Sequence, residues 1–374
     1  MTATHQIPFL DLAAVNAPYA DRLHAAAARV IDSGRFVGGA EVESFEAELA
    51  AFTGTKYAVG TANGLDALRL ILRAYIELGR LAPGDEVIVA ANTYIASVLA
   101  ITDCGLRPVL VEPDPRTLNL DTSRIEAAVT PRTRAVMPVH LYGRACHDAA
   151  LQELADRLGL IVVEDNAQAI GARSALDGRR TGALGHAAAF SFYPTKNVGA
   201  LGDAGAVTTD DEALAKAVRA LANYGSDRRY HNIYKGLNSR LDPLQAAFLR
   251  VKLPHTDDEN GLRRSLAAVY ESEIDSRAVG KPLFTGDDMV WHQYVIMTED
   301  RDGLRQFLSD HGVGTDVHYA VPPHRQPCYA DMSGLTALPV TEYLADRVLS
   351  LPIARGTSED DARRVASLIN QFGK

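Results

Sequence analysis

Two residues of this chain have the types and spacing to do chemistry together. Lys196 lies in the stretch Ser191-Phe-Tyr-Pro-Thr-Lys-Asn197, and Asp165 closes the apolar run Leu160-Ile-Val-Val-Glu-Asp165 upstream of it. An acid at the end of a buried strand followed by a lysine in a glycine-rich turn is what pyridoxal phosphate requires, because its aldehyde needs an amine and its ring nitrogen a fixed anion. Each residue alone says less. Asp165 could equally cap the helix that follows, and most lysines are solvated surface charges. Lys196, however, follows Pro194, comes after the aromatic Phe190-Ser-Phe-Tyr193 and precedes Gly199-Ala-Leu-Gly202-Asp-Ala-Gly205. That is an odd setting for a surface lysine, and the pair predicts a pyridoxal phosphate site.

The cofactor's phosphate needs backbone donors and hydroxyls near a helix N-terminus. Gly60-Thr-Ala-Asn63-Gly64-Leu65-Asp66 runs directly into a helical segment, so Gly64 and Leu65 can present N–H groups and Ser191 can add a hydroxyl. The alternative is a plain strand-to-helix turn with an Asn-Gly signal. A pyridine ring also wants a flat neighbour. Tyr94, in Ala91-Asn-Thr-Tyr94-Ile-Ala-Ser97 just past a strand, is the candidate, with a core tyrosine as the alternative.

The elements that must carry these residues alternate strand and helix. Tyr57–Gly60, Asp85–Ala90, Arg107–Glu112, Thr133–His140 and Leu160–Glu164 read as short buried strands, while Leu65–Ala74 and Ala149–Leu158 repeat apolar residues at helical intervals. The pattern predicts a mostly parallel α/β sheet, whose ligands gather at the carboxyl ends of its strands. Past Leu253-Pro254 it changes to a long helical stretch, short strands around Trp291–Met297 and a terminal helix from Ser358. We expect a large α/β domain over residues 1–250 and a smaller α+β domain over 251–374.

Composition excludes several classes. The chain of 374 residues is 47% hydrophobic and 23% charged, enough to bury one large core and a smaller one. A formal charge of −9 argues against a nucleic-acid partner. Met1-Thr-Ala-Thr-His-Gln-Ile-Pro has no basic cluster followed by an apolar core, and no stretch is apolar enough to span a membrane, so a cytoplasmic location is expected. Cys104, Cys146 and Cys328 are scattered and predict reduced thiols. Cys146-His147 has no second ligand pair at zinc spacing, and no metal is expected. The segment Gly199–Gly205 lacks the GxGxxG spacing of a nicotinamide-binding loop.

The chain resembles the DegT/DnrJ/EryC1/StrS family of pyridoxal phosphate-dependent sugar-nucleotide aminotransferases. The resemblance runs from Ile7-Pro-Phe-Leu-Asp11 to the C-terminus and is most specific in Glu164-Asp165-Asn-Ala-Gln168, Ser191-Phe-Tyr-Pro-Thr-Lys196-Asn and Gly236-Leu-Asn238-Ser-Arg240-Leu-Asp242. It implies the fold type I, aspartate aminotransferase-like architecture, with a mostly parallel, seven-stranded-type sheet. By position it implies Lys196 as the amine bonded to the cofactor, Asp165 on the ring nitrogen and Gln168 near the ring hydroxyl. Gly64, Leu65 and Ser191 would hold the phosphate, Tyr94 would stack on the ring, and Asn238 would reach the phosphate in the neighbouring subunit of a homodimer with shared sites. One departure stands out. Many members carry Ser-Gly-Thr where this chain has Asn63-Gly64-Leu65, so a threonine hydroxyl is missing from the phosphate site.

That substitution, with Asn223-Tyr-Gly-Ser226 and Val317-His318-Tyr319-Ala-Val-Pro322-Pro-His324, resembles a narrower group, QdtB and FdtB, that aminates C3 of a dTDP-3-keto-6-deoxyhexose with L-glutamate as donor. A C4 aminotransferase of the same family and a non-catalytic sensor are the alternatives. Relatives that act as sugar dehydratases replace the lysine with histidine, which Lys196 argues against. The substrate's diphosphate needs local cations, and Arg228, Arg229, Tyr230, His231 and Lys235 form a basic, aromatic stretch suited to it, or else a solvated loop. Tyr193, His318 and Tyr319 are the candidates for the hexose.

Overall fold

The computed structural model describes residues 5–283, 286–330 and 337–373. Part of the leader-free reading of the N-terminus falls on residues 1–4, outside the described residues.

Seven strands form the main sheet: β1 (Tyr57–Thr61), β2 (Glu86–Ala90), β3 (Arg107–Val111), β4 (Thr133–Met137), β5 (Ile161–Asp165), β6 (Ala187–Ser191) and β7 (Gly205–Thr209), in the order β1-β7-β6-β5-β4-β2-β3. The pairs β2–β3, β2–β4, β4–β5 and β5–β6 are parallel, and only β7 runs antiparallel to its neighbours β1 and β6. The parallel runs are rich in β-branched residues because helices cover both faces and no strand side needs to meet water. Strands β1 to β5 lie where the sequence reading puts them. It singled out neither Ala187-Ala-Ala-Phe-Ser191 nor Gly205-Ala-Val-Thr-Thr209, because alanine and glycine carry weak strand propensity. These strands form because their small side chains are buried under the helix Gly64–Glu77, whose Leu68, Ile71 and Leu72 share a core cluster with Ala187, Ala189 and Val207.

Local signals set the helices. Ala149–Leu158 begins where the Asp148 carboxylate accepts the Leu151 N–H and ends at Gly159 in the left-handed region. The terminal helix Glu359–Gln371 starts in a reciprocal cap between Ser358 and Asp361.

Residues beyond the sheet build a hairpin of β8 (Ser226–Arg228) and β9 (His231–Asn232), then an antiparallel sheet of β10 (Val279–Gly280), β11 (Tyr294–Thr298) and β12 (Val348–Leu351). The helices Thr256–Glu273, Arg301–Asp310 and Glu359–Gln371 accompany it. The largest apolar cluster is continuous across both sheets, joining Val87, Val163 and Val207 to Trp291, Tyr294 and Leu349. The start of the chain also packs there, with Ile7 N–H donating to Gly312 O at 2.8 Å and Gly314 N–H to Ile7 O at 2.8 Å. Among the described residues no helix is long and apolar enough to cross a membrane. The three cysteines are free.

The strand directions decide where a site can lie. The carboxyl ends of β1, β2, β4, β5 and β6 all open onto one edge of the sheet, and the start of β7 joins them there.

Candidate active site

A cavity of about 350 Å³ occupies that edge. Gly64 and Leu65 come to it from beyond β1, Tyr94 from beyond β2, Asp165 from the last position of β5, Ser191 from the end of β6, and Tyr193 and Lys196 from the turn after it. The turn is closed by Lys196 N–H donating to Tyr193 O at 2.8 Å. Lys196 is half-buried, and the surrounding protein pushes its amine down to about 8, against the opposing pull of Asp165. Among the described residues no carboxylate lies within ion-pair distance of its Nζ. The amine is therefore readily freed of its proton near neutral pH, which a proton-moving group needs.

Asp165 is 5% exposed and held from two sides. Ser97 Oγ donates to its Oδ2 at 2.7 Å and Ala167 N–H to its Oδ1 at 3.2 Å, while Thr93 Oγ1 supports Ser97 at 2.8 Å. Its neighbour Glu164 points into the protein, where it accepts N–H bonds from Gly182, Leu184 and Gly185, each at 2.8 Å, and one from His140 Nε2 at 2.8 Å. The Cys146 N–H donates to His140 Nδ1 at 2.8 Å, so the proton sits on Nε2 and His140 is neutral. These bonds hold the Glu164 carboxyl below its ordinary range despite burial. Glu164 thus locks the strand end, and Asp165 faces the cavity.

Gln168 is oriented without ambiguity: its Oε1 accepts the Tyr142 N–H at 2.6 Å and its Nε2 donates to Tyr319 OH at 3.0 Å. Tyr319 and Tyr94 meet with ring centroids 5.0 Å apart and planes tilted by 38°, forming an aromatic wall. His318 stands beside them, its Nδ1 at 2.8 Å from Ser350 Oγ and its carbonyl accepting from Tyr142 OH.

An anion cradle lies opposite. Asn63 caps the helix Gly64–Glu77, its Oδ1 taking the Asp66 N–H at 2.8 Å, which leaves the Gly64 and Leu65 amides ahead of the first intrahelical acceptors. A Cβ on Gly64 would stand 2.6 Å from Ser191 Cβ, so glycine is what lets the helix start approach the serine hydroxyl. Backbone donors, a hydroxyl, a carboxylate and a lysine around one cavity fit the phosphate, ring nitrogen and aldehyde of pyridoxal phosphate.

Of the residues expected from sequence, Lys196, Asp165, Gln168, Gly64, Leu65, Tyr94, Ser191, Tyr193, His318 and Tyr319 line this cavity. Arg229, Tyr230, Lys235 and Asn238 do not. Arg229 stacks on Tyr230, 4.8 Å from guanidinium carbon to ring centroid, at the tip of the β8–β9 hairpin, where Tyr230 is 87% exposed. Asn238 is exposed and pairs through its backbone with Asn223. The sequence reading also missed Ser97, Thr93, Asp203, His292 and Gln293. For His292 the signal is a polar pair, His292-Gln293, inside an apolar run whose pattern by itself predicts only a strand.

His292 is buried, and desolvation, then the nearby Lys196 and Arg263 charges, hold its imidazole well below the ordinary range. Desolvation lowers His318 as well, with Asp316 opposing and Lys196 adding to the shift. Both histidines are neutral beside Lys196.

The DegT/DnrJ/EryC1/StrS aminotransferase family matches residues 19–370 of the sequence. The chain belongs to that family. It is a pyridoxal phosphate-dependent sugar aminotransferase with the fold type I architecture. The aminotransferase is 46% identical over 368 residues to the dTDP-3-amino-3,6-dideoxy-alpha-D-galactopyranose transaminase of Aneurinibacillus thermoaerophilus, covering 98% of this chain and 99% of the relative. It is 49% identical over 374 residues to the dTDP-3-amino-3,4,6-trideoxy-alpha-D-glucose transaminase of Streptomyces venezuelae, covering 99% and 97%. The crystal structure of S. venezuelae DesV in complex with a ketimine intermediate superposes with a TM-score of 0.94 at 49% identity, covering 99% of both chains.

Proposed function

We propose that this aminotransferase moves the amino group of L-glutamate to the C3 carbonyl of a dTDP-3-keto-6-deoxyhexose. The observation that carries the reading is the shared cavity of Lys196 and Asp165, set beside near full-length similarity to two transaminases whose names both place the amine at C3. Pyridoxal phosphate, when bound, supplies the electron sink for the pair of electrons left when a substrate Cα–H is broken. Lys196 Nζ, its amine brought down to about 8 by burial, would in its uncharged form take that proton and deliver it to the carbon that was the cofactor's aldehyde. Asp165, held by Ser97 and the Ala167 amide, keeps a negative charge against the ring nitrogen. Gly64, Leu65 and Ser191 take the phosphate, Gln168 the ring hydroxyl, and Tyr94 the ring face.

Tyr193, His318 and Tyr319 bind the hexose. Arg229, Tyr230, Lys235 and Asn238 project from the exposed side of the chain and serve the site of a partner subunit in a cytoplasmic homodimer. Two domains, 1–250 and 251–374, meet at the cavity. The test is turnover of glutamate by the purified protein, followed by presentation of a 3-keto and a 4-keto dTDP-sugar. Amine transfer to the 3-keto sugar alone is the expected result, and transfer to the 4-keto sugar alone would move the reading to a C4 enzyme.

A further inference from the structure

We infer that Asn197 and His292 are positioning residues for the reaction: the Asn197 side chain ties the Lys196 turn to the loop after Asp165 and holds His292 as the tautomer protonated on Nδ1. The inference rests on the role proposed for Lys196. It begins with an amide whose orientation is fixed. Asn197 Nδ2 donates to Asn260 Oδ1 at 2.9 Å and to Val290 O at 3.1 Å, while its Oδ1 lies 3.1 Å from His292 Nδ1. Turning the amide over would set its oxygen against two acceptors, so Oδ1 faces the imidazole and Nδ1 must carry the proton. Asn260 is fixed in the same way, since its Nδ2 donates to Ile170 O at 3.0 Å.

A continuous run of hydrogen bonds therefore links Ile170, Asn260, Asn197 and His292. Ile170 belongs to the segment leaving Asp165, and Asn197 is the residue after Lys196. The two residues that must face the cofactor are thus held in register by the side chains of Asn260 and Asn197. His292 has little freedom to drift. Arg263 Nη1 donates to the carbonyls of Trp291, His292 and Ile353 at 3.2, 3.3 and 3.1 Å, and a Cβ on Gly143 would stand 2.7 Å from the His292 backbone nitrogen, so the backbone that carries the ring is fixed. With Nδ1 spent on Asn197, the nitrogen left for the cavity is Nε2, a lone pair rather than a proton. It offers the Lys196 ammonium or a substrate hydroxyl an acceptor, and burial first, then the nearby Lys196 and Arg263 charges, keep it uncharged.

The test uses the full chain with histidine nitrogens labelled with 15N, without cofactor and then with it. Long-range proton–nitrogen correlations report the tautomer of each imidazole, and the His292 signals are those lost in His292→Phe or, should that variant fail to fold, in His292→Asn. The expected result is a neutral, Nδ1-protonated ring at pH 7 in both states. An Nε2-protonated ring or an imidazolium overturns the inference. The kinetic arm separates positioning from mere support. His292→Phe and Asn197→Ala should each lower kcat by roughly 10- to 100-fold with KM for glutamate within about 2-fold. His292→Asn, which places an amide N–H where Nδ1 stood, should recover most of the loss. Wild-type kcat in His292→Phe, or equal losses in the Phe and Asn variants, overturns the inference. Failure of the wild-type protein to use glutamate would defeat the proposed function, while the tautomer measurement would still judge the hydrogen-bond run.

Discussion

Whether the Lys196 amine is charged decides what it can do, and burial sets that. In the protein without cofactor, the rate at which a small aldehyde captures Lys196 should rise with pH and level off above about 8, because only the uncharged amine attacks. A midpoint near the ordinary lysine value of 10.5 would show that the site does not desolvate it. Lys196→Ala should abolish transfer in a single-turnover assay, and substantial residual transfer would remove the residue from the role given to it. Gly64→Ala forces a methyl against Ser191 and should loosen cofactor retention by about 10-fold, in line with the ~1–3 kcal/mol typical of overpacking, measured by equilibrium dialysis. Lys196, Asp165 and Gly64 were legible in the sequence because each sits in a local pattern of strand end, turn or helix start. His292 was not, because nothing within a few residues of it announces that the fold brings it to the cavity of Lys196, while Ser97 and Asp203 lie inside stretches whose aromatic and glycine residues carry the stronger signal.

At the scale of elements, the supports of the site reach across the chain. Glu112, just past β3, accepts the Val340 N–H at 2.9 Å, the Thr341 N–H at 2.8 Å and the Thr341 hydroxyl at 2.5 Å. It caps the helix Pro339–Arg347 from far away in sequence, and that helix leads directly into β12. Glu112→Ala should cost about 2 kcal/mol, the upper range for loss of a helix cap, read as a shift in the denaturant midpoint at unchanged slope. A change within about 0.5 kcal/mol would mean that the cap contributes nothing. Such a cap has no local signature, whereas Asp148 before Ala149–Leu158 and Ser358 before Glu359–Gln371 could be read from neighbouring residues. Strands β6 and β7 escaped for a related reason: tertiary burial selects their alanines, and burial is not visible along the chain.

At the scale of the molecule, the charge and exposure of the β8–β9 region set the expectation for assembly. Arg229, Tyr230, Lys235 and Asn238 stand away from their own cavity, so shared sites require a second copy. Sedimentation should give a dimer, and Asn238→Ala should weaken cofactor retention without altering Lys196 chemistry once the site is loaded. A monomer that turns over glutamate at full rate would remove the shared-site account. The most direct test of the central claim is the visible absorption spectrum of the protein with pyridoxal phosphate, taken before and after L-glutamate and again after a dTDP-3-keto-6-deoxyhexose. The account predicts that glutamate removes the band of the cofactor bound to Lys196 and that the 3-keto sugar restores it, with a 4-keto analogue inert. A band that glutamate leaves unchanged, or one restored only by the 4-keto sugar, would contradict it.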